Sequence, residues 1–258
     1  QPGVIRDDLN AYLKPFGLMF GPETSTANRA MIGGMIGNNS CGLHSIIWGN
    51  TRDHLLEVTA ILHDGEQVVF GKTNRDVWNK KSEQENAEGH IYHGLGTLLG
   101  DTENRKHIAE GFPRKDIKRR NTGYALDILS NAIELKQDLN ICQLIAGAEG
   151  TLCIISEAQL QLIDLPPAHV AMVAVHTKSI QDALLANLVA LQQGCAASEL
   201  VDDFILQFTK SHPDLSSKRS FIDGDPKAIL MVEFFDHDRQ QLQQRCEKLI
   251  ATLKEKSL

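Results

Sequence analysis

Two consecutive prolines, Pro166 and Pro167, divide this sequence more sharply than any other feature. Proline has no N–H and a fixed φ, so neither a helix nor a sheet interior runs through the pair, and residues 165–168 read as a stiff linker. Each side must then bury its own core. With 258 residues there is enough chain for that, and 42% hydrophobic against 23% charged residues argues for globular rather than disordered segments. A net charge of −7 gives no electrostatic reason to expect a nucleic acid partner. The longest apolar runs, such as residues 171–175, are far too short to span a bilayer.

Five cysteines (Cys41, Cys142, Cys153, Cys195 and Cys246) are scattered without a CxxC spacing. An odd number in a core-rich chain reads as reduced thiols in a cytoplasmic protein, with no zinc or iron–sulfur site in this chain. Peripheral membrane contact through other parts of the protein stays open. The sequence opens Gln1-Pro2-Gly3-Val4, without an initiator Met or an apolar leader, and residues 254–258 sit inside an amphipathic helical pattern. The expectation is an internal piece of a longer protein.

Before the prolines, residues 7–13 have helical spacing with acidic residues in the first turn. Residues 55–62 and 67–70, joined through Asp64-Gly65, predict a β-hairpin. Residues 72–121 are polar and poor in β-branched residues, and Trp78, Ile91, Leu95, Leu98, Leu99 and Ile108 suggest one or two helices. A helix-like segment at 126–129 is followed by an apolar, strand-like run at 141–145. A further strand is expected at 151–155, continuing over 158–163.

After the prolines, residues 170–176 alternate like a strand, and Ile180, Leu184, Leu188 and Leu191 mark one face of a helix with Gly194 as its stop. Strands are expected at 195–201 and 228–235. Leu242, Cys246, Leu249, Ile250 and Leu253 then mark a second amphipathic helix. Strand–helix–strand–strand–helix is the order of a ferredoxin-like split βαβ unit lacking its last strand.

Two segments carry the chemistry. Residues 21–42 contain Gly33, Gly34, Gly37 and Gly42 among Asn, Ser and Thr. Such a stretch lets backbone approach a flat or charged ligand closely, and its N–H groups can bind phosphate or a ring carbonyl. It is neither GxGxxG nor a P-loop, and on spacing alone it serves equally as a ligand-free turn. Gly147-Ala148-Glu149-Gly150-Thr151-Leu152-Cys153-Ile154-Ile155-Ser156-Glu157 is a tight turn feeding a strand, which could present main-chain groups to a ligand edge or simply enter a core.

In this order the two segments, with Pro2-Gly3-Val4 and Trp48-Gly49-Asn50-Thr51-Arg52-Asp53, resemble the FAD-binding domain of the vanillyl-alcohol oxidase type of flavoprotein. The resemblance covers residues 1 to about 166 and points to the branch of D-lactate, glycolate and D-2-hydroxyglutarate dehydrogenases. Phe112-Pro113-Arg114 and Arg119-Arg120-Asn121-Thr122-Gly123-Tyr124, after the helical insertion at about 72–121, are similar to the large subtype with a C-terminal iron–sulfur domain. The fold so implied is α+β, the second half of a flavin-binding (PCMH-type) domain over residues 1–166 followed by a partial ferredoxin-like cap over 167–258. The function implied is oxidation of a small D-2-hydroxyacid by hydride transfer to flavin N5. The alternatives are a flavin oxidase or reductase of another class, or a module that has lost FAD.

The resemblance implies that Pro22, Glu23, Ser25, Thr26, Ile32, Gly33, Gly34 and Asn39 line the flavin site. It places Glu149, Gly150 and Ile155 by the nucleotide half of FAD. It puts the pyrophosphate loop before Gln1, and the cap histidines and any iron–sulfur cluster after Leu258. No catalytic base and no electron acceptor is named by these residues. Cys153 stands where the family has glycine, Glu23 where Asp is common, and Trp48 for Tyr. The basic cluster Arg114, Lys115, Lys118, Arg119 and Arg120 could attract a dicarboxylate, but more simply forms a solvated face. His90 and His93 lack a third ligand nearby in sequence, and His44 reads as a hydrogen-bonded structural residue.

Overall fold

The computed structural model describes residues 1–114, 116–117, 119–120 and 123–258. The chain divides into two compact units, Gln1–Leu165 and Pro166–Leu258. In the first, α1 (Arg6–Leu13) leads to β1 (Leu18–Met19), then α2 (Ile32–Asn38) and the single turn α3 (Ser45–Trp48). The hairpin follows as β2 (Leu55–Ile61) and β3 (Gln67–Phe70), then β4 (Lys72–Thr73). Three helices fill the insertion: α4 (Arg75–Ser82), α5 (Ala87–Gly100) and α6 (Thr102–Gly111). After them come α7 (Leu126–Glu134), β5 (Leu139–Asn140), α8 (Cys142–Ile145), β6 (Ile154–Leu160) and β7 (Ile163–Asp164).

The central sheet has the order β3-β2-β6, antiparallel throughout, with the small pairs β1-β7 and β4-β5 beside it. Its inner face carries Val58, Ala60, Val68 and Phe70, packed with Phe20, Met35, Ile36 and Tyr92 into one core. Among its described residues the insertion holds three helices rather than one or two, because side-chain caps start each of them. The side-chain oxygens of Asn74, Asn86 and Asp101 accept the N–H groups of Val77, Gly89 and Glu103 respectively.

Two strand expectations are corrected. Residues 141–145 form the helical turn α8, because the Asn140 side chain accepts the Cys142 N–H at 2.9 Å and winds the chain there. A short apolar run alone does not separate buried strand from buried helix. Strand β6 starts at Ile154 rather than residue 151 and ends at Leu160, with Glu157 inside it.

The second unit comprises β8 (His169–Thr177), α9 (Ile180–Gln192), β9 (Ala197–Asp202), α10 (Asp203–Lys210), β10 (Ala228–Asp236) and α11 (Arg239–Glu255). The sheet order is β8-β10-β9, with β10 antiparallel to both neighbours over nine and six residue pairs. Helix α10 is an insertion that the periodicity did not announce. The apolar stripe that marks one face of α9 in the sequence is the exposed one. Ile180, Leu184, Leu188 and Leu191 are 43–56% accessible, while Ala183, Ala186, Val189 and Ala190 are buried. Small residues let the helix backbone settle close to the sheet, and that contact decides which face goes in.

Candidate functional site

The site is built around α2. Its first turn is tied down when Ile32 and Gly33 donate their N–H groups to the carbonyls of Val4 and Pro2 at 2.9 and 2.8 Å. Gly33 lies so close to Pro2 that a Cβ there would stand 2.8 Å from the proline Cβ. Gly33 and Gly37, one turn apart, present bare backbone to a cleft of about 220 Å³. Its other walls are Pro2, Ile145, Ala148, Gly150, Leu152, Cys153 and Ile155. The two glycine-bearing segments, more than a hundred residues apart in sequence, therefore meet at one cleft.

The second wall is a turn held against α2. Gly147 and Glu149 donate to the carbonyls of Ile36 and Gly37, each at 2.9 Å. Gly147 has φ +91°, and a Cβ there would stand 2.7 Å from Arg52 Nη2, so both conformation and space call for glycine. Gly150, Leu152 and Cys153 carry N–H groups with no acceptor among the described residues, as does Gly34. Such donors need a ligand or water. Nothing lies within 4 Å of where a Gly34 Cβ would be, so the helix is open on that side.

Arg52, which sequence reasoning noted only as part of a motif, holds these parts together. It sits in a single 3-10 turn, Thr51–His54, whose start is fixed by reciprocal side-chain caps between Asn50 and Asp53. Its guanidinium is buried and Nη2 donates to the carbonyls of Ala146 at 2.5 Å and Gly123 at 3.0 Å. Its own N–H goes to Asn39 Oδ1 at 2.8 Å, and Asn39 Nδ2 donates to the Arg120 carbonyl at 3.3 Å. Burial pushes the Arg52 guanidinium down from its ordinary value, opposed by Asp127 and Asp53. No local pattern signals this role, because every partner is distant in sequence.

The remaining expected residues lie elsewhere. Pro22 is buried and its carbonyl accepts from Arg6 Nε at 3.2 Å. Glu23 accepts from the His44 backbone N–H and pairs with its ring Nδ1 at 2.8 Å, while His44 stacks on Trp48 with centroids 4.6 Å apart. Burial works to raise the Glu23 carboxyl, but the His44 contacts and Arg6 outweigh it and hold it below the ordinary glutamate value. Ser25 is exposed, and the Thr26 hydroxyl is bonded to that of Thr24 at 2.8 Å. Ile32 is buried in the core, Asn39 is buried with φ +49°, and neither lines the cleft. Thus Gly33, Gly150 and Ile155 are brought together, with Glu149 beside them, and Glu23 forms a separate pair with His44.

In the basic cluster, Arg114 pairs with Asp116, Arg120 with Asp127, and Arg119 Nε donates to Cys41 Sγ at 3.0 Å. Lys115, Lys118, Asn121 and Thr122 lie outside the described residues. Burial raises the Cys153 thiol above its ordinary value. Among the described residues no group of His, Cys, Asp and Glu is arranged to hold a metal, and no helix is long and apolar enough to cross a membrane.

Residues 1–71, which include α2 and Arg52, match the model of an FAD binding domain. The match covers the first 71 of the 258 residues, and by it this segment is similar to that FAD-binding family. The whole chain is similar to D-2-hydroxyglutarate dehydrogenases, being 33% identical to that of Pantoea ananatis over 98% of this chain and 31% identical to that of Escherichia coli over 99%. It spans 24% and 25% of their lengths, about a quarter. Among solved structures it superposes on an alkyldihydroxyacetonephosphate synthase with a TM-score of 0.59 at 14% identity, covering 99% of this chain and 37% of that one. That likeness establishes the fold alone, a mixed α+β arrangement, and with the match over residues 1–71 the fold is similar to that of PCMH-type FAD-binding proteins.

Proposed function

We propose that this chain forms one wall of the FAD site in an FAD-linked dehydrogenase that oxidises a small D-2-hydroxyacid, of the D-2-hydroxyglutarate class. The observation that carries the reading is the cleft where Gly33 and Gly37 meet Gly150 and Ile155, flanked by N–H groups without acceptors. The relatives named D-2-hydroxyglutarate dehydrogenase support the substrate class. In this reading residues 1–166 are the later part of the FAD-binding domain and 167–258 the start of a cap. An iron–sulfur domain, an electron acceptor and a cytoplasmic setting belong to the whole protein.

Bound FAD supplies the hydride acceptor. The residues here bind and orient it. The bare backbone at Gly33, Gly34 and Gly37 would let a flat ring approach, and the N–H group of Gly34, which has no acceptor among the described residues, would be available to hold it. Glu149, Gly150 and Ile155 would flank the nucleotide half, and Leu152 and Ile155 would exclude water. Pro22, Glu23, Ser25, Thr26, Ile32 and Asn39 act one layer out, shaping the loop over α2. No residue of this chain is assigned as the base that takes the hydroxyl proton.

Gly34→Val tests the assignment in the whole protein. The added side chain meets nothing within 4 Å, so folding should survive, while a branched group stands where the ring must approach. Flavin absorbance and FAD titration should show retention lost. A folded variant with full flavin content would overturn the reading.

A further inference from the structure

A second cavity lies in the first unit and shares no residue with the glycine cleft. It measures about 400 Å³ and is enclosed by α4 and α5 on one side and by the end of α7 with β5 on the other. Trp78 forms part of its wall, 6% accessible and held edge-on against Tyr92 with centroids 4.7 Å apart. Leu95, Ile133 and Leu139 continue the apolar lining.

Gly96 and Gly100 stand one turn apart on α5 and both line the cavity. Neither has a positive φ, so backbone conformation does not call for glycine, although each costs about 1 kcal/mol of helix stability relative to alanine. At Gly96 space is the remaining reason. A Cβ at Gly96 would reach Trp78 Nε1 at 3.3 Å, and one at Gly100 would enter open volume.

Two basic residues and one acid line the cavity. Arg75 and Lys136 line the cavity and neither side chain has an ion pair or hydrogen bond among the described residues. The one lining acid, Asp138, is engaged by Lys72 at 3.6 Å. Lys136 is fixed at φ +53° by the turn that ends α7, with its N–H and that of Gln137 bonded to the carbonyls of Ile133 and Ala132.

We propose that this cavity is a binding site for an organic carboxylate with an apolar body. The carboxylate sits between Arg75 and Lys136, and the body lies against Trp78, Leu95 and Ile133 over the two glycines. An apolar chamber with a few convergent polar groups is the usual form of a small-molecule site, and two unmatched cations select an acid. The site is separate from the flavin cleft and stands whether or not the flavin reading does.

Calorimetric titration of the whole flavoprotein with octanoate, and with octanamide as its uncharged counterpart, is the test. Octanoate should bind saturably at one site, about tenfold more tightly than octanamide. Gly100→Leu fills the cavity without a clash and with a good helix former, so it should abolish this binding while flavin content is unchanged. The double variant Arg75→Gln, Lys136→Gln should weaken octanoate by about tenfold and leave octanamide alone. Absence of saturable binding to the native protein, or full octanoate affinity in Gly100→Leu, would overturn the site. Should Gly100→Leu fail to fold, the double variant decides, since it changes exposed groups only, and unchanged octanoate affinity there counts against the proposal.

Discussion

The cleft of the first unit and the sheet of the second are held together by opposite means. In the second unit β10 pairs along its length with both neighbours, and apolar side chains such as Ile229, Val232, Phe234 and Leu249 are fully buried. Around the cleft, regular pairing gives way to single polar links: Arg52 to Ala146 and Gly123, Asn39 to Arg52 and Arg120, Gly147 and Glu149 to α2. A ladder tolerates the loss of one bond, because its neighbours hold the register. Single links, such as those of Arg52 across 71 and 94 residues of sequence, do not. The lesson is that the cleft rests on a few buried polar groups, while the second unit rests on area.

The largest expected effect follows from that contrast. Arg52→Ala removes the donor to two carbonyls and leaves them without it inside the protein, which should cost about 4 kcal/mol, in the range for breaking a buried charged contact. Arg52→Lys should recover little, since a point charge cannot bridge two carbonyls with the geometry of a guanidinium. Urea unfolding followed by flavin release would read both variants. A loss under about 1 kcal/mol would mean the cleft has a redundant support and the contrast fails.

The same contrast explains what could be read from the amino acids. The second unit's three strands and its two long helices were legible because period-2 and period-3.6 patterns mark element type, although α10 and the face that α9 buries were not. So was the hairpin at Asp64-Gly65, where Asp64 Oδ1 accepts the Glu66 N–H at 3.0 Å. In the first unit the glycines marked where backbone comes close, at Gly33, Gly37 and Gly150, but not what brings it there. Arg52 carries no local signal, and Cys142 to Ile145 turned helical through one side-chain cap from Asn140. Long-range polar links leave no periodicity to detect.

A smaller effect should appear at Glu23. Its carboxyl is held below the ordinary value by His44 and Arg6, so the ionised form stabilises the folded chain. Sign follows directly: a depressed carboxylate contributes above its unfolded value, and that contribution is lost as pH falls through its folded value. Glu23→Gln should therefore cost about 1 kcal/mol at neutral pH and almost nothing once the pH is below the folded-state value, which itself lies below the ordinary glutamate value, since both proteins then carry an uncharged group. Unfolding midpoints of the two proteins, measured between those limits, should converge on acidification. Curves that stay parallel would show that the pair is not an ionic contact in solution.

The smallest effect tests the second unit. Helix α9 exposes Leu184 and Leu188 at 54% and 56%, although their spacing is that of a core stripe, and buries Ala183, Ala186 and Ala190 completely. At about 100° per residue the two sets point to different sides of the helix, so both cannot face the sheet. With the alanine side packed, Leu188→Gln removes little buried area within this unit and replaces one good helix former by another. The expected change in stability is within about 0.5 kcal/mol, the usual range for an exposed site. Ala186→Leu should do the reverse, because added methylenes would force the helix off the sheet at a cost of about 1–3 kcal/mol. Urea unfolding of both variants of the chain would decide. Should Leu188→Gln prove the more damaging of the two, the leucine stripe is the face that packs, and area in this unit is buried differently from the arrangement described above.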